Sequence, residues 1–192
     1  MSSLDGALIA IERACGSGSV IRDPSLLESY AQDESEALPC TPEAVVRATS
    51  TADVSAVMKA AYEHEVPVTP RGGGTGRVGG AVPVPGGIVL AFEKMSSIEG
   101  IDKHELTTRV QPGVVTGELK RVAEEENLYY PPDPNSWESC AIGGNLAANA
   151  GGPRAFKYGV TREYVLGMDV VLADGTILKL GRETKKGVTG YD

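Results

Sequence analysis

Glycines gather at two places in this chain where backbone donors can be laid bare. The first is Pro70-Arg71-Gly72-Gly73-Gly74-Thr75-Gly76, with Gly79 close behind; the second, about seventy residues on, is Ile142-Gly143-Gly144-Asn145, running to Asn149-Ala150-Gly151-Gly152-Pro153. Without a Cβ in the way, main-chain N–H groups can approach a diphosphate or a flat ring. Two such clusters in one small chain point to a large phosphorylated cofactor gripped from two sides. A surface turn is the plainer explanation of the first cluster. Five glycines within Gly72–Gly79 each cost folding entropy, however, and phosphate binding is the stronger reading. Arg71 either adds charge there or holds the loop through carbonyls. For the second cluster, close packing through Gly143, Gly144, Ala147, Ala148 and Ala150 and contact with a ligand stay equally open. Asn145 and Asn149 lie four apart, which predicts both amides on one helical face, able to donate and accept at a ring edge.

One pattern misleads. Gly74-Thr75-Gly76-Arg77-Val78-Gly79 spells GxGxxG after a predicted strand, and Glu93 follows nineteen residues past Gly74, as in a dinucleotide fingerprint. That motif must open directly into a helix whose N-terminus holds the pyrophosphate. Here Gly80 to Gly87 follows, with Pro83 and Pro85, and no useful helix fits. No Gly-Lys-Ser/Thr appears, so the loop is not a Walker loop either. Gln111-Pro112-Gly113 and Pro131-Pro132-Asp133-Pro134 read as a turn and a stiff corner. His64 and His104 read as surface residues, and Trp137 as either a lid or a local anchor. Glu124-Glu125-Glu126 and Lys185-Lys186 read as solvated. No catalytic base and no metal-ligand set stands out.

The elements that must position these loops follow from periodicity. Leu4, Leu8, Ile11 and Cys15 predict an N-terminal amphipathic helix. Asp23-Pro24 starts another, and residues 33–42 are a loop. Ala44–Ala48 is a strand, Ser50–Asp53 opens a helix with a capping box, and Val66–Pro70 is a second strand ending at the first glycine loop. Gly87–Phe92 is a third strand. Beyond residue 98 the pattern predicts a strand at Leu106–Gln111 and a helix through Val115, Leu119 and Val122 that stops at Asn127. A short helix follows at Gly143–Asn149, then a hairpin at Val165–Leu172 and Ile177–Leu180 with an Asp174-Gly175 turn.

The chain has 192 residues, 41% hydrophobic and 23% charged, enough for one domain or two small lobes. Its net charge of −8 argues against nucleic-acid binding, yet not against an anionic cofactor held by loop amides. Cys15, Cys40 and Cys140 form no metal or CxxC pattern. Without a signal peptide or a transmembrane segment, they suggest a reduced, cytoplasmic setting, peripheral to the inner face of the membrane through partners if at all.

The motifs above, taken in order with Gly79-Gly80-Ala81, Cys140-Ala141, Lys157-Tyr158-Gly159-Val160-Thr161 and Gly190-Tyr191-Asp192, strongly resemble the FAD-binding domain of the vanillyl-alcohol-oxidase/PCMH flavoproteins. Within it the chain is most similar to the glycolate oxidase D subunit and D-lactate dehydrogenase group. The resemblance implies an α+β, two-lobed domain, a first lobe at about 20–97 and a second at about 98–192, with FAD between them. It implies that Gly72, Gly73, Gly74, Thr75 and Gly76 hold the pyrophosphate, with Arg71 and Gly79 also at the cofactor. Ile142, Gly143, Gly144, Asn145, Asn149, Gly151 and Gly152 would line the flavin and ribityl side, closed by Tyr158 and Gly159. Gln111, Pro112, Gly113, Pro132 and Asp133 would frame the remaining contacts.

Members that attach FAD covalently carry a histidine where Gly74 stands, so the implied FAD is non-covalent. Cys140 reads as a packed thiol. Ala141 replaces a Thr or Ser common in the group, removing one hydroxyl contact. The implied activity is FAD-dependent oxidation of a D-2-hydroxy acid to a 2-keto acid, with electrons passed to a carrier or partner subunit. A divalent metal would belong to a further, substrate-capping domain, and ending at Gly190-Tyr191-Asp192 reads as a C-terminal truncation. The alternatives are a FAD-binding or subunit module without turnover, and a different oxidase on the same fold.

Overall fold

Ser50 and Asp53 set the geometry of the first half of the chain. In this computed structural model, which describes residues 2–182, they form a complete capping box: Ser50 Oγ accepts from Asp53 N at 3.1 Å, and Asp53 returns to Ser50 N at 3.2 Å. The predicted features at Lys185-Lys186 and Gly190-Tyr191-Asp192 lie outside the described residues. The box starts a helix between two parallel strands, and the chain around it runs as α1 (Ser3–Cys15), β1 (Val20–Ile21), α2 (Pro24–Leu27), β2 (Ala44–Arg47), α3 (Thr51–Glu63), β3 (Val68–Arg71) and β4 (Ile88–Ala91). A short 3-10 turn at Glu28–Tyr30 follows α2.

The sheet order is β1-β2-β4-β3, with β2 and β3 both parallel to β4 and β1 antiparallel at the edge. Central β4 is apolar and buried at every position, as a strand covered on both faces requires. Ile88 and Leu90 pack with α1 and α3, while Val89 and Ala91 meet Leu27 and Tyr30 on the other face. Pro70 is accommodated because β3 is the other edge strand. The sheet thereby ends with Arg71 at a strand C-terminus, where the first glycine loop leaves. No helix follows that loop: residues 72–87 run through bends and turns, as the two prolines dictate.

The second half is looser in its secondary structure. The strand expected at Leu106–Gln111 does not form. Isolated bridges Asp102–Thr107 and Ile98–Val110 close a loop in which Leu106 is left-handed (φ 56°) and exposed, so only Val110 reaches apolar surroundings. Then come α4 (Thr116–Glu125), α5 (Ile142–Ala148), α6 (Ala155–Tyr158), a 3-10 turn at Thr161–Tyr164, and the hairpin β5 (Gly167–Val171) and β6 (Ile177–Gly181). Val114, Leu119 and Ile142 form a separate small core under α4 and α5. The hairpin turn is stapled to α3 by the Ser55 hydroxyl, which donates to Gly175 O. No helix among the described residues is long and apolar enough to cross a membrane.

Candidate functional site

The two glycine loops meet. A Cβ added at Gly72 would stand 3.1 Å from Ala141 Cβ and 3.8 Å from the Gly144 nitrogen, and one at Gly73 would strike Ser139 O at 2.2 Å. These contacts are possible only because both positions lack a side chain. Together the loops form one side of a cavity of about 880 Å³, within the range of small-molecule sites. Arg71, Gly72 and Gly73 contribute from the first loop and Ala141 from the second; Gly113 to Val115, the start of α4 and Trp137 to Ser139 enclose the rest.

The first loop presents donors with nothing to bind within the protein. Among the described residues, none of the N–H groups of Gly72, Gly73, Gly74, Thr75 and Gly76 has a hydrogen-bond acceptor in the chain. None of these five residues is buried, so their N–H groups are open to solvent and to an external acceptor such as a phosphate oxygen. Across from it, Ile142 N donates to Val114 O, Gly143 N to Pro112 O and Asn145 N to Ala141 O, whereas Gly144 N has no backbone acceptor. A Cβ at Gly144 would meet nothing within 4 Å. That position is bare toward open space, not toward packing.

The cradle is braced from behind. Arg71 Nη1 donates to Gln32 O at 2.8 Å and to Ala81 O at 3.4 Å, and its guanidinium lies 5.6 Å from the centre of the Tyr30 ring. Arg71 therefore holds the loop through carbonyls and also lines the cavity as a half-buried cation. Asp33 Oδ2 accepts from Ala81 N at 3.2 Å. Burial alone would raise the Asp33 carboxyl, but hydrogen bonds from Ser35, the Ala81 amide and the nearby Arg71 charge outweigh it and hold it below its ordinary value. Glu93, the residue that imitated a dinucleotide fingerprint, instead accepts from Tyr30 Oη at 2.8 Å and pairs with Arg47.

The remaining predicted residues divide. Gln111, Pro112 and Gly113 form a seam: Gln111 Oε1 accepts from Ser97 N at 2.9 Å, Pro112 O accepts from Gly143 N at 2.8 Å, and a Cβ at Gly113 would strike Phe92 O at 1.9 Å. Pro132 is fully buried, and the Asp133 carboxylate pairs with Lys120 and Arg154. Ile142 is core.

The two asparagines do not share a face. Asn145 is buried and donates to Thr116 Oγ1 at 2.6 Å, while Asn149 caps α5 in the left-handed conformation and accepts from Arg162 N at 3.0 Å. Helical spacing stops applying once the chain turns out of the helix at Asn149. Gly151 and Gly152 pack on Ala155 and on Asp133, and Gly159 (φ 82°) lies against Glu163. Tyr158 packs edge-on to Tyr129 at 5.7 Å. Gly74 (φ 68°) and Gly79 (φ 77°) supply left-handed turns, and Thr75 and Gly76 complete the loop between them. Cys140 is a packed thiol, 4% exposed, 3.1 Å from Thr116 Oγ1. Burial pushes the nearby Tyr130 phenol up to about 12, so it stays neutral.

Sequence reasoning gave no place at the site to Asp33, to Lys120 or to Tyr30, whose apolar helix position is all that the spacing predicts. An aspartate two residues before a serine in a loop was the available signal for the first, as an Asx turn.

A mostly parallel sheet with helices packed on it, and a glycine loop leaving the C-terminal end of its edge strand, defines an α+β domain of the kind that binds nucleotide cofactors at strand ends. The chain belongs to the FAD-binding domain family of PCMH/VAO-type flavoproteins: the family model described as "FAD binding domain" matches residues 42–181. It is 45% identical to glycolate oxidase subunit GlcD of Bacillus subtilis (strain 168) over 85% of this chain and 35% of that protein. It is 49% identical to a D-lactate dehydrogenase of Anaerostipes hadrus over 78% of this chain and 31% of that protein. Its fold matches p-cresol methylhydroxylase with substrate bound, at TM-score 0.79 and 27% identity, over 92% of this chain and 35% of that one. The chain thus spans about a third of the length of the relatives it matches.

Proposed function

We propose that this chain is the FAD-holding part of a flavin-dependent oxidoreductase that converts a D-2-hydroxy acid, of the glycolate or D-lactate type, to its 2-keto acid. The observation that carries the reading is the run of N–H groups at Gly72–Gly76 without an acceptor in the chain, joined to the bare position at Gly144 on the neighbouring second loop. Those residues fit FAD: the amides answer the pyrophosphate, Arg71 adds a cation behind them, and Gly144 leaves room for a flat or ribityl segment. When bound, FAD supplies the acceptor for a hydride from the substrate's α-carbon. The chain's residues contribute binding and orientation, and Gly113, Val114 and Ala141 exclude water from one wall. The division into lobes near residue 98 belongs to this reading, with the cofactor between them.

The attachment is non-covalent in this reading. Gly74 offers no nucleophile, the His64 ring is engaged over Gly6 of α1, and the Cys140 thiol is buried against Thr116. Any divalent metal, the electron acceptor or partner subunit, and a cytoplasmic location are further parts of the same proposal, drawn from the kinship with hydroxy-acid enzymes.

Two measurements test it. Purified protein incubated with FAD and gel-filtered should retain the yellow flavin band and release it all on acid precipitation. Loaded protein should then bleach with glycolate or D-lactate. No retained flavin ends the reading; retained flavin that no D-2-hydroxy acid bleaches leaves a FAD-binding module without turnover.

A further inference from the structure

Three polar side chains are buried where α4 meets α5. Thr116 is fully buried, and Asn145 and Cys140 are 3% and 4% exposed. Thr116 opens α4, yet its hydroxyl caps nothing there, since α4 has no side-chain cap hydrogen bond. The hydroxyl turns inward instead and accepts from Asn145 Nδ2 at 2.6 Å. It also lies 3.3 Å from the carbonyl oxygen and 3.1 Å from the sulfur of Cys140, so its one proton has a partner there. Thr116 N donates to the same carbonyl at 3.0 Å. Apolar side chains join the two helices without this desolvation cost, as Val114, Leu119 and Ile142 do. A buried polar set with its bonds made fixes one arrangement where apolar packing tolerates several.

What the set fixes is the distance of the second glycine loop from the first. Cys140 lies between Ser139 and Ala141. A Cβ at Gly73 would strike Ser139 O and stand 3.2 Å from Cys140 Cα, and one at Gly72 would stand 3.1 Å from Ala141 Cβ. The main chain that Thr116 holds from behind is thus the stretch that abuts the first loop. Asn145 holds its other end, where Asn145 N donates to Ala141 O at 3.0 Å. None of the three residues lines the cavity among the described residues, so they act on it through the backbone they hold.

We propose that Thr116 is a positioning residue: its hydroxyl, held between Asn145 and Cys140, sets the gap between the two glycine loops and so how tightly the cavity closes on its ligand. This goes beyond the FAD reading above and rests on it for the ligand.

Thr116→Val keeps the shape and removes the hydroxyl, leaving the buried Asn145 amide without its acceptor. FAD should then bind roughly tenfold more weakly, the scale of one buried donor left unpaired. Thr116→Ser, which keeps the hydroxyl, should restore most of the affinity. Asn145→Leu breaks the same bond from the other side and should weaken FAD alike, and the double variant should be no worse than either, because the two groups act through one contact. Val57→Ala, in the core under the sheet, is the stability control: its thermal midpoint should fall while its FAD affinity holds. Circular dichroism identifies the variants that fold, and either single variant suffices. Wild-type affinity in a folded Thr116→Val or Asn145→Leu overturns the positioning role, as does Thr116→Ser as weak as Thr116→Val, or an equal loss in Val57→Ala. Losses that add in the double variant would place Asn145 on the ligand itself and overturn it too. All four leave FAD binding intact; a wild type that binds no FAD removes both readings.

Discussion

Glycines here serve two different ends, and substitution by alanine separates them. At Gly113 a Cβ would strike Phe92 O at 1.9 Å and Met95 O at 2.8 Å, so the seam itself depends on its absence. At Gly144 the added methyl meets nothing within 4 Å, and the residue lies in α5, where alanine is favoured over glycine by up to about 1 kcal/mol. Gly144→Ala is therefore expected to leave the thermal midpoint equal or higher while weakening FAD roughly tenfold by filling the approach. Gly113→Ala is expected to lose much of its soluble folded yield. Calorimetry and flavin titration on the two variants check this. Equal FAD affinity in Gly144→Ala would show that the bare position is not a cofactor approach. The same contrast explains what could be read in advance. A glycine run announces close approach to something, but composition cannot say whether that something is a ligand or the neighbouring backbone. The two asparagines failed for a related reason: spacing by four holds only inside a helix, and Asn149 is where α5 stops.

Elements were most legible where a terminus signals itself. Asp23-Pro24, Ser50 with Asp53, and the Asp174-Gly175 turn all mark boundaries that the structure keeps. The strand expected at Leu106–Gln111 was misread because its apolar residues share no partner strand, and Leu106 turns outward instead. The α3 capping box makes a measurable claim. Burial alone would raise the Asp53 carboxyl, yet hydrogen bonds from the Thr49 hydroxyl and amide and from Ser50 outweigh it and hold the carboxyl below its ordinary value. The folded chain thus holds on to fewer protons than the unfolded chain in that interval. The contribution is complete above the unfolded value of about 3.9 and is lost as pH falls through the lower folded value. Asp53→Ala should cost about 1 kcal/mol near neutrality, with urea midpoints converging on those of the wild type as pH drops below about 4. A gap that stays constant into acid would show that the box acts through shape and not through the ionised carboxylate.

Over the whole molecule, an acidic chain must hold a doubly charged bridge without a basic surface. Net charge is −8, and among the described residues the cavity carries Glu93, Glu118 and Glu138 against one cation, the half-buried Arg71. Long-range electrostatics therefore oppose binding, and the loop amides supply the local attraction at hydrogen-bond range. The cavity also touches two apolar clusters, through Tyr30 of the one beneath the sheet and Val114 of the one under α4 and α5, so a ligand filling it ties them together. Two consequences share one experiment. FAD at a hundred times its dissociation constant should stabilise the fold by about 2.7 kcal/mol, a rise of roughly 5–10 °C in thermal midpoint for a chain of this size. Raising salt from low to moderate concentration should leave the dissociation constant flat or lower it, because screening removes repulsion faster than it weakens buried amide contacts. A site built on lysines and arginines shows the opposite trend. Steep weakening with salt would mean that exposed cations, not the unpaired amides of Gly72–Gly76, hold the pyrophosphate.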